Sequence, residues 1–271
     1  MVKAVTTSGA VVEHFDRMSS TRDWSRLYTV ADGSTYHFHV RRSRARPAAN
    51  IRYPSQMLRQ QGRVADIGCG PGVMTEAVLE RGGTFDGIDL SPEMLREGRE
   101  RFADQPGVSF QEGSIEALGL PDASYDQVIC MAVIEYLETP HLALAEVARI
   151  LRPGGTAIIT VPKRSHIDRV MIAATTPVRA LARMLGAGSA DTLPRLRLQP
   201  GELDEAARRA GLIFDGGAQY HFTPLPYPLT RVAPQLCMRL NIPWERMYET
   251  RAALPSFLAH GYIGRYRKPA G

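Results

Sequence analysis

From residue 63 onward, short apolar runs alternate with stretches of helical period. Residues 64–67 (VADI) form a strand-length run closed by a glycine-rich turn. Residues 73–82 (VMTEAVLERG) space apolar side chains three and four apart, which predicts a helix, and Gly82-Gly83 stops it. Residues 85–90 predict a second strand. Ser91 then stands at an N-cap position, with Pro92 opening a helix through residue 103. Residues 108–110 and 125–130 predict the third and fourth strands, and residues 140–151 (PHLALAEVARIL) a helix. Arg152-Pro153-Gly154-Gly155 predicts a tight turn into a fifth strand at 156–161. A helix at 201–211 leads to a sixth strand at 212–220, and 261–268 (GYIGRYRK) predicts the last. Strands and helices alternating at this spacing predict a parallel sheet covered on both faces.

Three segments break the alternation. Residues 1–62 are polar and Arg-rich, with short helices predicted at 9–17 and 23–29. Residues 163–198 carry a basic amphipathic stretch, and residues 221–256 are irregular and Pro-rich. All three read as additions around one α/β core, so residues 1–271 are expected to form a single domain. Its parts are an N-terminal helical lid (1–62), a core (63–162) and two inserted cap segments (163–198 and 221–256).

Composition narrows the class. The chain has 271 residues, 44% hydrophobic and 23% charged, ordinary for a globular protein. Its 3 cysteines lie far apart, with no CxxC and no Cys/His cluster, which argues against a disulfide framework, a zinc site and any metal. No apolar run reaches the length of a membrane span, and a cytoplasmic location is expected. Against 28 acidic residues stand 33 basic ones, too mild an imbalance for a dedicated nucleic-acid binder.

The strongest chemical signal is VADIGCGPGVMT, residues 64–75. Gly68, Gly70 and Gly72 sit between a strand and a helix, where glycine permits positive φ and lets a ligand approach the backbone. The dinucleotide fingerprint would need a glycine where Val73 stands, and no Gly-Lys-Ser/Thr follows to make a P-loop. Asp89 ends the next strand, where a carboxylate can accept hydrogen bonds from both hydroxyls of a ribose.

With these residues in view, the chain resembles the class I S-adenosylmethionine-dependent methyltransferases. The matching segments are DIGCGPG (66–72), GIDLSPEM (87–94), residues 112–115, YDQVIC (125–130) and LRPGG (151–155). Within that family it is most similar to small-molecule enzymes of the quinone-biosynthesis type. The resemblance implies a Rossmann-like, seven-stranded α/β sheet with helices on both faces, and S-adenosyl-L-methionine as cofactor, leaving S-adenosyl-L-homocysteine as product. It also implies roles. Gly68, Cys69, Gly70 and Gly72 would pass under the methionine part, and Asp66 would hold its ammonium. Asp89 would bind the ribose, Leu90 and Met94 would border the adenine, and Ser114 and Ile115 would hold its edge and face. Met131 would lie near the methionine or the sulfonium.

Two departures stand out. Many relatives carry Asp at the position of Ser114, and quinone-type enzymes often carry Glu-His where this chain has Glu135-Tyr136. Tyrosine is a poor base near neutral pH. The candidates for a catalytic role are therefore Tyr136, orienting or packing, with His14 and His37 from the segment expected to fold over the cofactor. The end of strand four lacks the motifs of nucleic-acid methylation, so the expected acceptor is a small molecule, methylated on oxygen. Two alternatives stay open: recruitment of the fold for a cyclisation or rearrangement, and a non-catalytic cofactor-binding module. Residues 169–185 read as a lid helix or as a peripheral membrane contact, and a homodimer is one option for the oligomeric state.

Overall fold

The computed structural model describes residues 8–21, 56–137, 139–164, 176, 196–222 and 259–271. Helix α1 spans Ser8–Thr21. The core then runs β1 (Gly62–Ile67), α2 (Thr75–Leu79), β2 (Gly83–Asp89), α3 (Pro92–Arg101), β3 (Val108–Glu112) and β4 (Tyr125–Cys130). A 3-10 turn (Ile134–Tyr136), α4 (Pro140–Ile150), β5 (Leu151–Pro162), α5 (Pro200–Arg209), β6 (Ile213–Phe222) and β7 (Ala259–Arg267) follow. The seven strands form one sheet in the order β3-β2-β1-β4-β5-β7-β6.

β1 to β5 pair in parallel, as the alternation predicts. β7 departs from the parallel pattern, running antiparallel to both β5 and β6, so the sheet is mixed. Two glycines explain how these last strands pack. A Cβ at Gly217 would meet the Tyr262 hydroxyl, and one at Gly264 would meet the Tyr266 hydroxyl. Both hydroxyls donate to Asp204 Oδ1 on α5, at 3.2 and 2.6 Å, and tie the helix to the sheet.

Other boundaries differ in instructive ways. The helix predicted at 73–82 shrinks to α2, because the left-handed Gly72 carries a turn up to its N-cap Met74. The Arg152–Gly155 turn is absorbed into β5 as an irregularity, with Leu151 facing Tyr125 and Thr156 facing Gln127. α1 extends the predicted 9–17 helix at both ends, while the helix predicted at 23–29 and most of both cap segments lie outside the described residues. The Ser91 cap is as predicted: its Oγ accepts from Met94 N at 3.2 Å.

Both faces of the sheet are covered. Ala65, Ile67, Val128, Cys130 and Ile159 pack against Leu144, Val147 and Leu203 on one side. Val64, Phe85, Ile129, Ile158 and Ile263 pack with Met74, Val78 and Leu95 on the other. Strands buried on both faces read as continuous apolar runs, which is why β4 was legible to the residue. β1 lies between β2 and β4, so the chain order reverses beside it. The crevice at the carboxyl ends of these strands is where open α/β sheets bind ligands.

Candidate functional site

Three strand ends meet at that crevice. β1 delivers Asp66 and the glycine loop, β2 delivers Asp89, and β4 delivers Met131 and the 3-10 turn that follows. The loop is anchored by its own backbone: Gly68 N and Cys69 N both donate to Ile88 O, at 2.7 and 3.1 Å. Gly68, Gly70 and Gly72 all have positive φ, of 73°, 53° and 77°.

The three glycines do different work. A Cβ at Gly68 would collide with Val133 Cγ2, and one at Gly72 would sit 2.7 Å from Thr75 Oγ1 and 2.8 Å from the Phe110 ring. At Gly70 a Cβ would meet nothing within 4 Å. Packing therefore accounts for the outer pair, and only the middle glycine faces open space.

Asp66 is 1% exposed, and neither carboxylate oxygen has a hydrogen-bond partner. Burial, with a smaller contribution from the charge of Asp89, pushes its carboxyl up to about 8. A buried carboxylate without a partner is costly to hold ionised. The Thr75 hydroxyl, at the far end of the loop, is also buried without a partner.

Asp89 is half-buried and already engaged. Its Oδ2 accepts from Gly70 N at 2.8 Å and its Oδ1 from Ser91 N at 2.9 Å. Burial raises its carboxyl above the usual range, and these N–H groups partly offset the rise. Asp89 thus fixes the open part of the glycine loop, a task that sequence reasoning missed. Each oxygen keeps a lone pair for a further donor.

α1 closes one side. Ser91 Oγ donates to Asp16 Oδ1 at 2.5 Å, and the Phe15 ring meets Tyr136 edge-on at 5.6 Å between centroids. His14 stacks edge-on with Phe15 at 5.4 Å, so both it and Tyr136 belong to this cluster. His37 lies outside the described residues. Leu90 and Met131 are partly exposed at the strand ends, while Met94 and Ile115 are buried. Ser114 Oγ accepts from Glu116 N at 3.3 Å, closing its own turn. Cys69 and Cys130 are buried thiols that burial pushes upward. Among the described residues no helix is long and apolar enough to cross a membrane.

A buried, partnerless carboxylate at the start of a loop with an open-faced glycine fits a ligand that brings a cation against the loop. S-adenosylmethionine carries such a cation in its ammonium.

Comparison with known proteins agrees. Residues 65–159 match the Methyltransferase domain family. The chain is 31% identical over 166 residues to a ubiquinone biosynthesis O-methyltransferase of Methylococcus capsulatus, covering 60% of this chain and 68% of the relative. A solved SAM-dependent methyltransferase of Thermotoga maritima, described as a possible histamine N-methyltransferase, superposes with a TM-score of 0.58 at 19% identity, over 94% of this chain and 99% of that one. The [4+2]-cyclase SpnF superposes with a TM-score of 0.63 at 17% identity, over 100% of this chain and 99% of that one. At such identities the structures speak for the fold alone; the sequence relatives and the family match carry the assignment. The chain belongs to the class I S-adenosylmethionine-dependent methyltransferases and is an enzyme of that family, similar to its quinone-biosynthesis members.

Proposed function

We propose that this enzyme moves a methyl group from S-adenosylmethionine to an oxygen of a small-molecule acceptor, at the carboxyl ends of β1, β2 and β4. The observation that carries the site is the partnerless, buried Asp66 carboxylate at the strand end that leads into the loop of the open-faced Gly70. Asp66 holds the cofactor's ammonium, Gly70 admits its methionine chain, and Asp89 accepts from the ribose while keeping its bonds to the loop. Leu90, Met94, Ser114 and Ile115 surround the adenine, and Met131 lies toward the methionine. The bound cofactor supplies a methyl group already activated as a sulfonium. What the protein adds is alignment, worth on the order of 7–11 kcal/mol for well-oriented reactants.

The choice of oxygen is supported by the name of the Methylococcus capsulatus relative, a ubiquinone biosynthesis O-methyltransferase. An acceptor hydroxyl needs a base near neutral pH, and a histidine suits that range better than a tyrosine. His14, carried by α1 beside Phe15, takes that role, while Tyr136 serves as the aromatic wall against Phe15. The N-terminal segment that carries α1 acts as a lid on a single catalytic domain, so deleting residues 1–35 leaves cofactor binding within about tenfold and removes methyl transfer. The test is incubation with methyl-labelled S-adenosylmethionine and a panel of hydroxylated aromatics and carboxylic acids, read by mass spectrometry. A methylated oxygen with matching S-adenosylhomocysteine is expected. Label on nitrogen or carbon, or an altered acceptor without S-adenosylhomocysteine, would contradict the reading.

A further inference from the structure

At the end of β4 the backbone turns through a left-handed alanine. Ala132 has φ 56°, a conformation unfavourable for a residue with a Cβ. The other described non-glycine residues with positive φ, Gln61 and Ala123, precede β1 and β4; Ala132 alone lies at the ligand-binding ends of the strands. Strain of this kind persists only where its surroundings hold it.

The hold is a side chain on the neighbouring strand. Ala132 N donates to Thr160 Oγ1 at 2.9 Å, and Thr160 is buried. In the register of the sheet, Asp66 faces Ile129 and Ile129 faces Ile158. Thr160 is two residues past Ile158, so its side chain stands on the Asp66 side of the sheet, one row nearer the crevice. The turn it fixes also places Val133 where a Gly68 Cβ would be, and the backbone of Val133 then starts the 3-10 turn, with Tyr136 N donating to Val133 O at 2.9 Å. One hydroxyl thus interlocks the post-β4 turn with the first glycine of the loop, two residues beyond Asp66.

We infer that Thr160 is a positioning residue for the methionine half of the cofactor pocket. It acts through the left-handed turn at Ala132 and does not touch the nucleoside half, which Asp89 serves from β2. The inference rests on the reading of this crevice as the S-adenosylmethionine site.

The test separates the two halves of the ligand. Calorimetry measures the affinity of the full chain for S-adenosylhomocysteine, which has both halves, and for 5′-methylthioadenosine, which lacks the amino-acid half. Thr160→Val removes the hydroxyl at nearly constant volume. It should weaken S-adenosylhomocysteine by about tenfold or more while 5′-methylthioadenosine stays within about threefold. Thr160→Ser keeps the hydroxyl and should keep the wild-type ratio. Ala132→Val, a branched residue where φ is positive, should reproduce the selective loss without altering Thr160. Equal losses for both ligands, no loss for either, or a Thr160→Ser ratio shifted as far as that of Thr160→Val would overturn the inference. A wild-type chain that binds neither ligand would overturn the site reading, and the inference with it.

Discussion

The two ends of the central sheet carry aspartates in different company. In the amino-terminal half, Asp86 accepts from Arg63 Nε at 2.7 Å and from Ser109 Oγ at 2.5 Å. Asp126 accepts from Arg63 N and from an Arg152 guanidinium, both at 2.7 Å. Burial works to raise Asp126, but these partners hold it below the usual carboxylate range. At the carboxyl ends, Asp89 is bonded to backbone N–H groups of the loops it fixes, and Asp66 to nothing. A paired carboxylate has its counter-charge within the fold. A buried one without a partner is held there at a cost to stability, and a cationic ligand supplies what is missing.

That contrast can be broken from several sides. The largest effect is expected at Gly70. Gly70→Val puts a branched side chain into the open space of the loop and should weaken S-adenosylmethionine at least a hundredfold by calorimetry. Circular dichroism should still report a folded protein, since a strained residue at positive φ costs about 1–3 kcal/mol. Gly68→Ala should behave in the opposite way, losing thermal stability through its clash with Val133 before it loses affinity.

Asp89→Ala comes next. It removes an acceptor worth about 1.5–3 kcal/mol to each charged hydrogen bond, so cofactor affinity should fall on the order of tenfold to a hundredfold. A folded Asp89→Ala chain with unchanged affinity would take Asp89 out of the site.

Asp66 has a stability signature as well. Its folded value, about 8, lies above the ordinary one of 3.8, so the folded state binds more protons than the unfolded one between these values. Stability from this group is therefore lost as pH rises from about 4 toward about 8. Asp66→Asn should flatten that part of the melting-temperature profile and be more stable than the wild type near pH 8, while binding the cofactor more weakly. A parallel profile for both proteins would place the buried charge elsewhere.

The smallest effect is expected at the other end of the sheet. Asp126→Asn breaks a half-exposed pair and should alter stability by no more than about 1 kcal/mol. Cofactor affinity should stay at the wild-type value, and a measurable drop would erase the distinction between the two ends.

Much of this was legible in the sequence because it is local. The strand β4, the Ser91-Pro92 start of α3 and the glycine loop each announce themselves through periodicity or capping chemistry within a few residues. The direction of β7 was not legible, since strand polarity is set by pairing across the sheet and not by local pattern. Nor could residue type reveal that Gly68 and Gly72 make room for Val133 and Phe110 while Gly70 faces outward. The clash partners are distant in sequence and arrive only with the fold. The same holds for the bond from Asp89 to Gly70 N and for the turn at Ala132, where an ordinary alanine gives no warning of a left-handed backbone.

On the proposed function, Asp66 is a buried, protonated carboxyl until the ammonium of the cofactor reaches it. Titration calorimetry at pH 7, repeated in buffers of different ionisation enthalpy, counts the protons that leave on binding. With a carboxyl poised at about 8, binding of S-adenosylmethionine should release close to one proton, and Asp66→Asn should release none. Binding without proton release in the wild type, or with the same release in Asp66→Asn, would show that Asp66 is not the group that meets the ammonium.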